Sequence, residues 1–156
     1  MSDSADLIKY LTGITELRRR HIALGSDDMY ALEEYVLKYG RLWNPPPKAL
    51  PRGVDPMESK FCFDNAYELA ERRHKTLRYV EGFASRFITV HHAWCVTADG
   101  TVVDPTWKNE GTAYYGQAFT LAQVKTVREG DHGNASVLMD WPHNYPLLMK
   151  KEKVEK

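Results

Sequence analysis

Only two cysteines, Cys62 and Cys95, occur in the 156 residues. Two thiols are too few for a disulfide framework in a chain of this length, and a free thiol stays available for chemistry. No apolar run approaches the ~20 residues that a bilayer-spanning helix needs. Neither charge sign is in excess, with 21 Lys and Arg against 21 Asp and Glu. That balance supplies no global field to hold the protein on nucleic acid or on an anionic membrane. The first six residues are acidic and polar, unlike a signal peptide. The expectation is a cytoplasmic protein in reducing surroundings, with neither nucleic acid nor membrane as partner.

What is present is an ordinary globular composition, 43% hydrophobic and 27% charged. It predicts one domain over 1–156, with no linker or repeat to divide it. Leu7, Ile8, Leu11, Ile14 and Leu17 recur at helical spacing, giving a helix over about 4–20. Ser26 suits an N-cap, with Asp27 and Asp28 in the first turn. Met29, Leu32, Tyr35, Val36 and Tyr39 then form a second apolar stripe closed by Gly40. Residues 41–57 read as loop because Pro45, Pro46, Pro47, Pro51 and Pro56 remove amide donors. These helices and the proline-rich loop make up an N-terminal segment, 1–57.

A third helix is expected from Ser59 to about His74, burying Phe63, Ala66, Tyr67 and Ala70. Strand-like stretches follow at 77–84, 89–97 and 101–104, with a fourth at 114–119. Thr120 can cap a short helix ending near Gly130. Residues 136–149 are apolar but interrupted by Pro142 and Pro146, and they show no clear period. Helices first and antiparallel strands later favour α+β over a parallel doubly wound sheet.

The chemistry concentrates in the middle of the chain. With Ser59 as N-cap, Cys62 is the third residue of its helix, where free amides and the positive dipole end favour a thiolate. The bland alternative is a small buried core residue. In the strand His91-His92-Ala93-Trp94-Cys95-Val96, alternation puts His92, Trp94 and Val96 on one face and His91, Ala93 and Cys95 on the other. The turn Thr97-Ala98-Asp99-Gly100-Thr101 then decides where Asp104 lies. A two-residue Asp99-Gly100 turn pairs Cys95 with Asp104, away from His92. A three-residue loop with Gly100 left-handed pairs Thr97 with Thr101 and makes His92 the diagonal same-face neighbour of Asp104. In the second case Cys62 can attack an acyl carbon, His92 can move the proton, and Asp104 can fix the imidazole tautomer.

The segments Phe61-Cys62-Phe63-Asp64-Asn65-Ala66, Leu77-Arg78-Tyr79-Val80-Glu81-Gly82-Phe83-Ala84, His92-Ala93-Trp94 and Val103-Asp104-Pro105-Thr106-Trp107 occur in that order. Together they resemble the transglutaminase-like core, across about residues 58–107. The family orders its motifs as a Cys-bearing helix, an R-Y-V-x-G strand, H-A-W and D-P-T. The resemblance implies a papain-like α+β fold with the Cys62 helix packed on an antiparallel sheet. It also implies a Cys62-His92-Asp104 triad, His92 rather than His91 because it directly precedes Ala93-Trp94. The implied activity is cofactor-free thiol chemistry on an amide or thioester of a protein, peptide or small molecule: cleavage, deamidation or acyl transfer to an amine. Pro56 departs from the papain pattern, which places an oxyanion glutamine six residues before the cysteine.

Trp94, Trp107 and Asn44 are further candidates for a substrate pocket, and residues 1–57 and a C-terminal extension, 108–156, are expected to shape it. Two rival readings remain. His91, His92, Cys95, Cys62 and Asp104 are all metal-ligand types, but alternation separates His92 from Cys95. His91 and Cys95 lie about 13 Å apart at ~3.3 Å per residue, so no metal is expected. The other rival is a catalytically inactive binding module on the same fold. Glu81 is read as substrate-facing or solvent-facing, Cys95 as core, and Arg18-Arg19-Arg20 and Arg72-Arg73 as solvated helix faces.

Overall fold

The computed structural model describes residues 3–22, 28–129 and 133–150. Helix α1 runs Asp3–Ile22, α2 Leu32–Tyr39, α3 Cys62–Arg72 and α4 Leu121–Glu129. The strands are β1 Arg41–Trp43, β2 Arg78–Ser85, β3 Thr89–Val96, β4 Val102–Val103 and β5 Ala113–Phe119. They form one sheet in the order β1-β5-β2-β3-β4, antiparallel at every junction. The architecture is therefore α+β. Among the described residues, no helix is long and apolar enough to cross a membrane.

Period-two alternation gives the sheet two buried faces. Tyr79, Phe83, Ala93, Cys95 and Val103 pack with Leu7, Leu11, Val36, Ala66 and Ala70 from the helices, forming the larger core. Val80, Ala84, Trp94, Val96, Val102 and Tyr114 occupy the opposite face with Trp43. Trp107 packs against this second cluster from the loop joining β4 to β5. Each fully buried large side chain there contributes about 1.5–3 kcal/mol of transfer free energy.

Several elements differ from the sequence reading for identifiable reasons. In α1 the buried residues are Leu7, Leu11 and Thr15, while Leu17 is half exposed. An i, i+4 stripe that includes a threonine carries the contact, and Thr15 satisfies its hydroxyl on the Leu11 carbonyl at 2.8 Å. Helix α2 starts at Leu32 with Ala31 as N-cap, and Met29 instead bridges to Met149. Ser26 and Asp27 lie outside the described residues. Strand β1 falls inside the stretch read as loop. Three residues before a proline run carry too little pattern to read, yet Arg41, Leu42 and Trp43 pair with Gly116, Tyr115 and Tyr114.

Arg18 and Arg19 are not simply solvated. They reach the buried carboxylates of Glu33 and Glu34 at 3.3 and 3.1 Å, joining α1 to α2. Thr120 does cap α4, exchanging hydrogen bonds with Gln123 in a capping box.

The turn between β3 and β4 has three residues. Val96 pairs with Val102, the Thr97 amide donates to the Thr101 carbonyl at 2.9 Å, and Gly100 takes φ +83°. Left-handed backbone at the third loop position is what glycine supplies without strain. The register puts Asp104 on the His92 face.

Candidate active site

Three backbone elements converge here. Helix α3 begins at Cys62 itself, with Phe61 rather than Ser59 as the N-cap residue. Cys62 is therefore the first helical residue, not the third, and it sits directly at the positive end of the dipole. Lys60, two residues earlier, is held left-handed at φ +71°. Ser59 has no role in the cap because a residue far along the chain takes it. The Asn134 side-chain oxygen accepts from the Phe63 and Asp64 amides at 3.0 and 3.2 Å. The Asp64 carboxylate in return accepts the Asn134 amide at 2.7 Å and pairs with Arg128.

Strand β3 supplies His92. The β3–β4 ladder ends at Cys95–Val103, so His92 lies where β4 no longer flanks the strand. Its Nε2 meets Asp104 Oδ2 at 2.9 Å, with both side chains buried. The Cys62 side chain is a neighbour of the imidazole and favours its charged form. Nε2 is engaged by the carboxylate, so Nδ1 is the ring nitrogen available to a second partner. Burial disfavours the charged imidazole, but the Asp104 charge and hydrogen bond, together with Cys62, outweigh it and raise the His92 pKa to about 9.

Asp104 is a buried carboxylate with a full set of donors. Besides His92, Oδ2 accepts the Tyr114 hydroxyl at 2.8 Å, and Oδ1 accepts the Trp107 amide at 3.1 Å. Its own amide donates to Asn109 Oδ1 at 2.8 Å. Burial and the Asp104 charge raise the Tyr114 pKa far above its ordinary value, so the phenol stays a donor. Such pairing is what makes a buried charge tolerable. Trp107 covers the pair from the other side, its ring stacked on the imidazole.

The remaining candidates separate. Trp94 is fully buried beneath Tyr114 and makes an edge contact with it, so it is core and not a substrate surface. Alternation aims it inward, and Trp43 and Val80 close over it. Asn44 is exposed and donates to the Asp99 carbonyl at the β3–β4 turn, four residues and more along β3 from His92. Asn44 therefore belongs to the turn and stands away from the triad. Both indoles stack beside the imidazole, Trp107 closely at 3.9 Å between ring centroids and Trp94 from within the core at 6.2 Å.

On the other face of the sheet, Glu81 is neither solvent-facing nor open to substrate. It is completely buried and accepts from Tyr79, His91, Ser136 and the amides of Val137 and Leu138. Burial raises its pKa, but the His91 and hydroxyl hydrogen bonds prevail and hold it below the ordinary carboxylate range. Cys95 donates to the Ala66 carbonyl at 3.2 Å, and burial pushes its thiol pKa well up.

Asn134, Asn109 and Tyr114 are the parts of this site that sequence spacing does not reveal. Among the described residues no group of three or more His, Cys, Asp or Glu side chains is placed to hold a metal ion. Compared with known proteins, the chain matches no family model, no curated protein and no solved structure.

Proposed function

We propose that this protein is a cysteine-dependent enzyme of the transglutaminase-like kind, acting on an amide or thioester through Cys62, His92 and Asp104. The observation that carries the reading is the buried His92 Nε2–Asp104 hydrogen bond at 2.9 Å, with the Cys62 side chain near enough to the imidazole to favour its charged form. A cysteine at the first position of a helix packed on an antiparallel sheet supports the papain-like core that the motifs imply.

With a pKa near 9, His92 is protonated at neutral pH and faces a thiol it can hold as the thiolate. The thiolate attacks the acyl carbon, forming a C–S bond and an oxyanion. Phe63 and Asp64 amides are taken by Asn134, which leaves the Cys62 amide as the helix-end donor to that oxyanion. Collapse breaks the C–N or C–S bond as His92 gives its proton to the leaving group. Water or an amine then attacks the thioester, returns a proton to His92 and regenerates the thiolate. Asp104 fixes the ring.

Alkylation tests the reading. Iodoacetamide near neutral pH is expected to modify Cys62 much faster than Cys95, and His92→Ala is expected to abolish the difference. Equal, slow labelling of both thiols in the native protein would overturn it. The low exposure of Cys62, 9%, favours one second reading, a binding module that keeps the triad without turnover. A Cys62→Ala protein that retains partners from an extract, alongside native protein that leaves those partners unmodified, would select that reading.

A further inference from the structure

Asn134 lies 72 residues from Cys62 in sequence but touches the start of its helix with its backbone amide and both polar atoms of its side chain. Its Oδ1 accepts two amides of α3, its amide donates to Asp64, and its Nδ2 donates to the Lys60 carbonyl at 3.2 Å. The turn Lys60–Asp64, which contains Cys62, is thereby clamped from both sides. Asn134 can do this because it adopts φ +49°, next to Gly133 at φ +126°. Asparagine tolerates that left-handed conformation better than most side chains.

An uncapped helix presents several orphan amides, and all of them would compete for an anion. Here a neutral side chain fills two and leaves the one on Cys62. A neutral acceptor also withholds negative charge from the point where the thiolate forms, whereas a carboxylate would oppose it.

We infer that Asn134 is a positioning residue for the Cys62 nucleophile: it takes up two of the helix-end amides, selects the one left for the oxyanion, and does so without placing a negative charge beside the thiolate. The inference rests on the proposed role of Cys62.

Charged and titratable groups around the sulfur are His92 from β3 with Asp104 behind it, and Tyr79 from β2 with Glu81 and His91 behind it. Asp64, paired with Arg128, stands two residues along its own helix. Variants at 134 share all of these, so a change between them reports residue 134.

The test is the pH profile of iodoacetamide alkylation at Cys62 in the full chain. Asn134→Asp keeps an acceptor and adds charge, and its half-maximal pH is expected to rise by about half a unit. Asn134→Gly suits the left-handed backbone, frees both amides, and is expected to move the half-maximal pH down. Opposite shifts support the inference; shifts in the same direction, or none, overturn it. If the glycine variant does not fold, the aspartate variant decides alone, an upward shift supporting and any other result overturning. Failure of the underlying reading looks different, because then native Cys62 reacts no faster than Cys95.

Discussion

Trp107 lies nearly parallel to the His92 imidazole, ring centroids 3.9 Å apart at an interplanar angle of 15°. The indole shields the His92–Asp104 hydrogen bond from water and places its π face against a ring that carries charge at neutral pH. Both effects strengthen electrostatics that solvent would otherwise screen.

Trp107→Ala is therefore expected to bring the His92 pKa from about 9 back toward the ordinary 6.5. Water entry weakens both the burial penalty and the attraction to Asp104. The net shift is upward, so its loss is downward. Titration of the imidazole resonances by NMR measures it, and an unchanged value would show that the stacking has no electrostatic part.

The same pair links stability to pH. A histidine with a pKa raised from 6.5 to about 9 contributes stability that is fully present below 6.5 and is lost as pH rises through 9. The full shift corresponds to about 3 kcal/mol as an upper limit. Urea unfolding at pH 6 and pH 9.5 should show this decline in the native protein. Asp104→Asn should flatten it, because the carboxylate is the main group raising the pKa.

Glu81 makes a separate prediction on the opposite face of the sheet. Glu81→Ala leaves two hydroxyls, two amides and His91 without their acceptor, and is expected to cost about 3–5 kcal/mol. Since the Glu81 pKa is held below its ordinary value, its contribution is present above the unfolded carboxylate range and lost as pH falls through the folded pKa. Denaturant midpoints of the native protein and the variant should therefore converge on acidification.

Gly82 and Gly116 face each other across β2 and β5. A Cβ on Gly82 would lie 2.3 Å from the Tyr115 carbonyl oxygen and 2.5 Å from the Gly116 Cα, both backbone atoms that cannot swing aside. Gly82→Ala is expected to destabilise by about 1–3 kcal/mol, as overpacking does, and thermal unfolding measures it. The strand interior otherwise favours alanine over glycine, so a stabilised variant would contradict the close approach.

Most of the sheet was legible in the residues because β2, β3 and β5 are long enough for alternation to show, and Asp99-Gly100 marks the hairpin. The choice between two loop lengths stayed open in the sequence, since both suit those residues; the Val96–Val102 pairing resolves it. Other features depend on partners too distant to read. Glu81 is buried only because Ser136, Val137 and Leu138 arrive more than 50 positions later. Local sequence offers Ser59 as the cap of α3, whereas the helix starts at Cys62 and its amides are accepted by Asn134, far along the chain. Trp94 and Trp107 look alike as aromatic residues beside motif positions, yet strand alternation buries one and a loop leaves the other at the imidazole.

The loop Ala98-Asp99-Gly100 is a surface turn, a kind of place where gain or loss of a residue is ordinarily tolerated. Here its length carries information. One residue more or fewer would reverse the parity of everything after it in β4 and send Asp104 to the helix side of the sheet, beyond the reach of His92. Among descendants of a common ancestor, length at this turn should therefore be inherited together with the histidine and the aspartate, as a single unit of selection.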